Sequence, residues 1–126
     1  MISRPQYMDR LISWKDKQVI KVITGVRRCG KSTLMSMYQE YLSSHGVARD
    51  HMLMINFEDY AYDELTDPKA LYSYILKQKA PEGTTYVFLA EVQNVEGFER
   101  VVDSLHIQKG IDVYITGSNA RFLSRN

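Results

Sequence analysis

The stretch Gly25-Val26-Arg27-Arg28-Cys29-Gly30-Lys31-Ser32 decides how this chain folds. It matches G-x-x-x-x-G-K-[ST] at every fixed position, a pattern in which a loop wraps a phosphate chain with backbone N–H groups. Glycine stands where a side chain would hold the anion away. The flanks give the match its weight. Upstream, residues 19–24 (Val-Ile-Lys-Val-Ile-Thr) are rich in β-branched side chains and stop at Gly25, which predicts a strand. Downstream, Leu34, Met35, Tyr38, Tyr41 and Leu42 recur at helical spacing before Gly46, which predicts a helix over 31–44. A helix starting near Lys31 aims its free N–H groups and positive dipole end at the same anion. The expected cradle is therefore Gly25, Val26, Arg27, Arg28, Cys29, Gly30, Lys31, Ser32 and Thr33. Lys31 would bridge the β- and γ-phosphates of ATP, and the Ser32 hydroxyl would ligate Mg²⁺. Arg27 and Arg28 either touch nucleotide or stand as solvated loop charges. Cys29 is either passive loop filler or a thiol made acidic by Lys31 and the helix end.

Outward from this loop, strands alternate with helices. Residues 52–57 (Met-Leu-Met-Ile-Asn-Phe) form an apolar run too short for a typical helix. Asp67-Pro68 resembles an N-cap followed by proline at the first helical position. Leu71, Tyr74, Ile75 and Gln78 then give an amphipathic helix to about Lys79, ended by Pro81 and Gly83. Residues 84–89 and 111–116 are two more expected strands, and 97–108 a helix with Phe98, Val101, Val102 and Leu105 on one face. Such alternation predicts an α/β domain, a parallel sheet sandwiched between helices. Ligands of such sheets bind where the strands' C-terminal ends meet.

Composition removes several function classes. With 126 residues the chain fits one domain, and 16 basic against 15 acidic residues give a net charge of +1. Nothing in that balance supports a nucleic-acid partner. No apolar run reaches the roughly 18–20 residues that span a bilayer. Met1-Ile2-Ser3-Arg4-Pro5 lacks the apolar core of a signal peptide, so the expected address is the cytoplasm. Cys29 is the single cysteine, which excludes an internal disulfide or a multi-cysteine zinc site within the chain.

A second motif follows the strand Tyr86-Val87-Phe88-Leu89, which runs into Ala90-Glu91-Val92-Gln93. Phosphate-loop enzymes usually carry Asp-Glu here, the Asp near the metal and the Glu polarising the attacking water. Glu91 is in place, but Ala90 occupies the Asp position, and a methyl group holds neither a metal nor its water. Binding of triphosphate survives that loss on this reading, while hydrolysis is impaired.

Four segments together carry a more specific resemblance: Gly25 to Leu34, Asn56-Phe57-Glu58-Asp59, Phe88 to Asn94, and Thr116-Gly117-Ser118-Asn119-Ala120. In this order they resemble a prokaryotic AAA-type P-loop ATPase family, over nearly the whole chain. The third segment of that family reads F-L-D-E-[VI]-Q, so Ala90 is a departure. The resemblance implies a P-loop NTPase three-layer sandwich, ATP and Mg²⁺ as cofactors, hydrolysis to ADP and phosphate, and a C-terminal partner domain of unknown function. It also places Asn119, beside Ser118, as the residue that senses the γ-phosphate. Ser118 alternatively caps a short helix over 119–124. Glu91, Lys31 and Asn119 are thus the expected catalytic group.

Four strands imply the sheet order 2-3-4-1. That leaves the first strand on an edge open to self-association, without the fifth strand and helical lid usual in the family, as in a fragment of a longer chain. Weaker candidates surround this core. Asn56 either orients Glu91 or is a structural amide. Glu58 and Asp59 either stand in for the missing carboxylate or form a solvated turn. Arg4, Tyr7 and Trp14 either flank adenine or serve as core and surface cover, and Arg121 and Arg125 either reach a neighbour's nucleotide or charge a helix surface. His45, His51 and His106 lack metal-ligand spacing. Besides hydrolysis, a nucleotide-dependent switch or scaffold and a DNA-associated module compete as readings.

Overall fold

The structure, a computed structural model, describes residues 21–23 and 28–117, with side chains from Met35 onward. The strands are β1 (Lys21–Ile23), β2 (Met52–Asn56), β3 (Thr85–Ala90) and β4 (Ile111–Thr116). The α-helices are α1 (Arg28–Ser44), α2 (Pro68–Gln78) and α3 (Phe98–His106). Short 3₁₀ turns cover Arg49–His51, Tyr60–Thr66 and Val92–Asn94. The sheet runs β1-β4-β3-β2, and each neighbouring pair is parallel.

Period-two alternation sorts the sheet's side chains into two layers. Ile55, Val87, Leu89, Val113 and Ile115 pack with Leu71 and Ile75 of α2 and with Phe98, Val101, Val102 and Leu105 of α3. Tyr86, Phe88, Ala90 and Tyr114 pack on the other face with Met35, Tyr38 and Leu42 of α1. Helices thus cover both faces. Every residue of β3 and β4 is buried, whereas β2 at the edge is only partly covered. Two-sided burial is why the central strands read as nearly continuous apolar runs.

Local chemistry ends the elements where the sequence suggests. The Asp67 side chain accepts from the Ala70 N–H, and Pro68 occupies the first turn, where its missing N–H costs nothing. Gly110 adopts φ +80°, and a Cβ there would lie 2.9 Å from the Gly83 carbonyl oxygen, so the approach to β4 requires glycine. Several boundaries differ from expectation: β2 ends at Asn56 rather than residue 57, β3 begins at Thr85 rather than 84, and α3 covers Phe98–His106 rather than 97–108. α1 begins at Arg28 rather than near Lys31, so Arg28, Cys29 and Gly30 stand in its first turn. Turn residues whose dihedrals already suit a helix are absorbed into it, and periodicity of buried positions cannot see that. β3 extends to Ala90, because Asn56 still pairs with Ala90. The 3₁₀ segment Tyr60–Thr66 carries no apolar period to announce it.

The α1 layer contains an unexpected polar chain. Tyr38 and Tyr114 share a 2.8 Å hydrogen bond between hydroxyls, and the Tyr114 hydroxyl donates to Asp112 Oδ2 at 3.0 Å. Tyr38 and Tyr114 are fully enclosed and Asp112 is 4% exposed. Burial first, then the Asp112 charge and the bond to Tyr38, push the Tyr114 pKa far above its ordinary 10.0. A hydroxyl kept neutral in the fold but ionisable when unfolded contributes stability below the unfolded pKa and loses it above. Tyr114→Phe should therefore cost about 1–3 kcal/mol near neutral pH, read from urea unfolding, because it strips a partner from a buried carboxylate. Above pH 10 the parent should lose stability faster with pH than Tyr114→Phe does. Parallel pH slopes for the two proteins would show that Tyr114 does not titrate as argued.

Candidate functional site

The parallel register brings the strand ends to one edge. Ile23 pairs with Thr116, Leu89 with Ile115, and Ala90 with Asn56. The four C-terminal ends therefore lie side by side; residues 24–27, between β1 and α1 in the sequence, lie outside the described residues. The first N–H groups of α1, from Arg28 to Lys31, have no partner within the helix.

Glu91, the first residue after β3, is the sharpest feature of this edge. It has φ 56° and ψ 50°, and it alone among the described non-glycine residues has positive φ. A left-handed conformation costs an ordinary residue roughly 1–2 kcal/mol, so neighbouring bonds must hold it. They are present. The Glu91 N–H donates to Thr116 Oγ1 at 3.1 Å, and its carbonyl accepts from the Asn94 N–H at 3.2 Å and from Asn94 Nδ2 at 3.0 Å. Gln93 Nε2 donates to carboxylate Oε1 at 2.8 Å. Glu91 is nonetheless only 7% exposed, a buried acid at the rim of the sheet.

Ala90 points the other way. Its methyl lies in the apolar layer that includes Met35 and Tyr38 of α1, and it is 8% exposed. Met35 follows Ser32 by three residues, about one helical turn. An acid at position 90 would thus face α1, close to its start, while Glu91 turns off the strand. For a divalent cation the donor set is incomplete. Ala90 offers no oxygen, and among the described residues no group of three or more His, Cys, Asp or Glu could hold a metal.

The other expected residues sort as follows. Arg28 to Thr33 lie in the first two turns of α1. Gly25, Val26 and Arg27 lie outside the described residues, as do Ser118, Asn119, Arg4, Tyr7, Trp14, Arg121 and Arg125. Asn56 Oδ1 accepts from the Glu58 N–H at 3.0 Å, so its amide oxygen closes the turn at the end of β2. Asp59 Oδ1 accepts from the Ala61 N–H at 2.9 Å, and both Glu58 and Asp59 are exposed, as a solvated turn requires. His45 Nδ1 bonds the Tyr41 carbonyl and His51 Nδ1 the Thr84 carbonyl, both structural. Thr116, Gln93 and Asn94 lie in the segments that carry the family resemblance, but the sequence gives none of them a role. The E-x-Q spacing and the terminal polar residue of an apolar strand were the available signals.

Comparison with known proteins gives a family. A family model described as an AAA domain matches residues 17–126. An uncharacterized protein of Haemophilus influenzae is 40% identical over 126 residues, covering 98% of this chain. The chain spans about a third of that relative, 31% of its length. No solved structure matches. No helix among the described residues is long and apolar enough to cross a membrane. The matched region takes in the phosphate-loop pattern, all four strands and Glu91, and the chain belongs to the AAA domain family of nucleotide-binding, ATPase-type domains.

Proposed function

We propose that this domain binds ATP at the C-terminal edge of its sheet and hydrolyses it slowly, with Glu91 as the water-activating carboxylate. The observation that carries the reading is Glu91 itself, a buried acid held left-handed at the C-terminal end of β3. Gly25 to Thr33 would wrap the triphosphate, with the opening N–H groups of α1 and Lys31 meeting the β- and γ-phosphates. Glu91 would accept a proton as water attacks the γ-phosphorus. The bond from that phosphorus to the bridging oxygen breaks, releasing ADP and phosphate. Lys31 and Asn119 are assigned to the charge that develops on the transferring group.

Mg²⁺ accompanies ATP and neutralises phosphate charge when bound. Ser32 is the residue of this chain proposed to ligate it. Because Ala90 supplies no carboxylate oxygen on the α1 face, protein ligation is poor there, and no step is assigned to the ion. That deficit also favours a second reading of the same site, a nucleotide-dependent switch whose slow turnover acts as a timer. The fold assigned is a P-loop NTPase core, with helices layered on both faces of the parallel sheet.

Two measurements test this. Fluorescent ATP should bind at micromolar to sub-millimolar concentration, and Lys31→Ala should weaken binding by about 10-fold or more, since a charge-assisted contact is worth roughly 1.5–3 kcal/mol. No saturable binding up to several millimolar would refute the nucleotide site. In phosphate release with Mg²⁺, Ala90→Asp should raise kcat about 10-fold or more, while Glu91→Gln in that background should return it to background. An unchanged rate for Ala90→Asp would show that the missing acid does not limit turnover.

A further inference from the structure

We propose that Thr116 and Gln93 are positioning residues that together aim the Glu91 carboxylate, Thr116 by fixing its backbone and Gln93 by orienting its head group. The proposal rests on reading Glu91 as the water-activating acid.

A residue leaving a straight strand in left-handed conformation swings its side chain off the strand's alternation. Where it then points depends on what pins its two peptide groups and its head. At Glu91 the pins come from different parts of the chain. Thr116 Oγ1, on β4 and 2% exposed, accepts the Glu91 N–H across 25 residues of sequence. A parallel ladder is built from backbone groups, so a side-chain hydroxyl taking this N–H is an addition to the sheet and not a product of it. Register puts it there, because Leu89 pairs with Ile115 and the next positions along the two strands are Ala90 and Thr116.

Gln93 acts on the other end. The 3₁₀ turn Val92–Asn94 folds it back so that Nε2 meets Oε1 at 2.8 Å. A neutral amide donor suits a base: it fixes the direction of the carboxylate without cancelling its charge, as a lysine or arginine would. Asn94 holds the Glu91 carbonyl through both its N–H and its Nδ2, which closes the turn and leaves the aiming to the other two. Thr116 is also the last residue of β4, directly before Gly117 and the Ser118-Asn119 pair. Any movement of that strand end carries the acceptor of the Glu91 N–H with it.

The test uses the intact protein, with Ala90 and in the faster Ala90→Asp background, and reads kcat and KM for ATP separately. Thr116→Val keeps the shape of the side chain and removes the acceptor, whereas Thr116→Ser keeps the hydroxyl. Gln93→Leu removes the amide donor. Misaiming a base by about an ångström costs up to about 100-fold. Thr116→Val and Gln93→Leu should therefore each lower kcat about 10- to 100-fold with KM within about twofold of the parent, and Thr116→Ser should recover most of the loss. Hydrogen exchange at the Glu91 amide gives a readout independent of turnover: faster in Thr116→Val, parental in Thr116→Ser. Parental kcat in Thr116→Val and Gln93→Leu, alongside an inactive Glu91→Gln, overturns the positioning roles and leaves Glu91 standing. Parental turnover in Glu91→Gln, or none in any background, overturns the reading of Glu91 and the proposal with it.

Discussion

Burial of β3 and β4 on both faces is the constraint from which the rest follows. A strand covered on both sides has no wet face on which to place polar groups, so each polar group it keeps must find a partner inside. Among the described residues, four polar or charged ones are buried, all on β3 and β4 or directly after β3: Thr85, Glu91, Asp112 and Thr116. Thr85 Oγ1 accepts the Ala80 N–H at 2.9 Å and ties the turn after α2 to the start of β3. Asp112 takes the Tyr114 hydroxyl, and Thr116 takes the Glu91 N–H. Three of the four sit at strand ends or just beyond. There the ladder runs out of backbone partners, and a side chain can satisfy what the sheet cannot.

That placement separates the roles of the two ends of the sheet. At the N-terminal end, the Thr85 and Asp112 bonds fasten loops and α1 to the sheet, and nothing about them calls for a ligand. At the C-terminal end the same economy produces a strained residue. Glu91 keeps its left-handed backbone only because Thr116 and Asn94 take its N–H and carbonyl, and the cost of the conformation is spread over those bonds. A glycine would adopt this turn more cheaply. The chain places there an acid whose carboxylate is held by a neighbouring amide, as the proposed catalytic role of Glu91 would require.

The sequence made the fold legible because apolar periodicity reports burial directly. Phe98, Val101, Val102 and Leu105 are all buried as their spacing requires, and β4 spans the six residues from Ile111 to Thr116 as expected. The Asp67-Pro68 cap was readable for the same reason, since its chemistry is local. What escaped depends on contacts between distant elements. The Asp112–Tyr114–Tyr38 chain joins β4 to α1 across 76 residues, and only the sheet order reveals that the two tyrosines meet. Thr116 reads as no more than the end of a strand because its partner, the Glu91 N–H, lies just beyond the end of another strand. Asp112, Tyr114 and Thr116 do alternate along β4, so their common face was visible. The identity of the helix covering that face was not.

Ala90 is the point at which fold and chemistry part. The α1 face around it is lined by Met35, Tyr38, Phe88 and Tyr114, and a methyl group completes that layer at no cost. A carboxylate there would be dehydrated by the same neighbours, and unless a cation or donor met it, it would stay protonated or destabilise the domain. An acid at this position is therefore worth keeping only where a bound cation repays its burial. With alanine, the sheet, the α1 layer and the Glu91 turn are all independent of any metal, since none of the bonds that hold Glu91 passes through residue 90's side chain. On the proposed reading, triphosphate recognition by backbone N–H groups and Lys31, and the aiming of Glu91, would then be separable from metal retention.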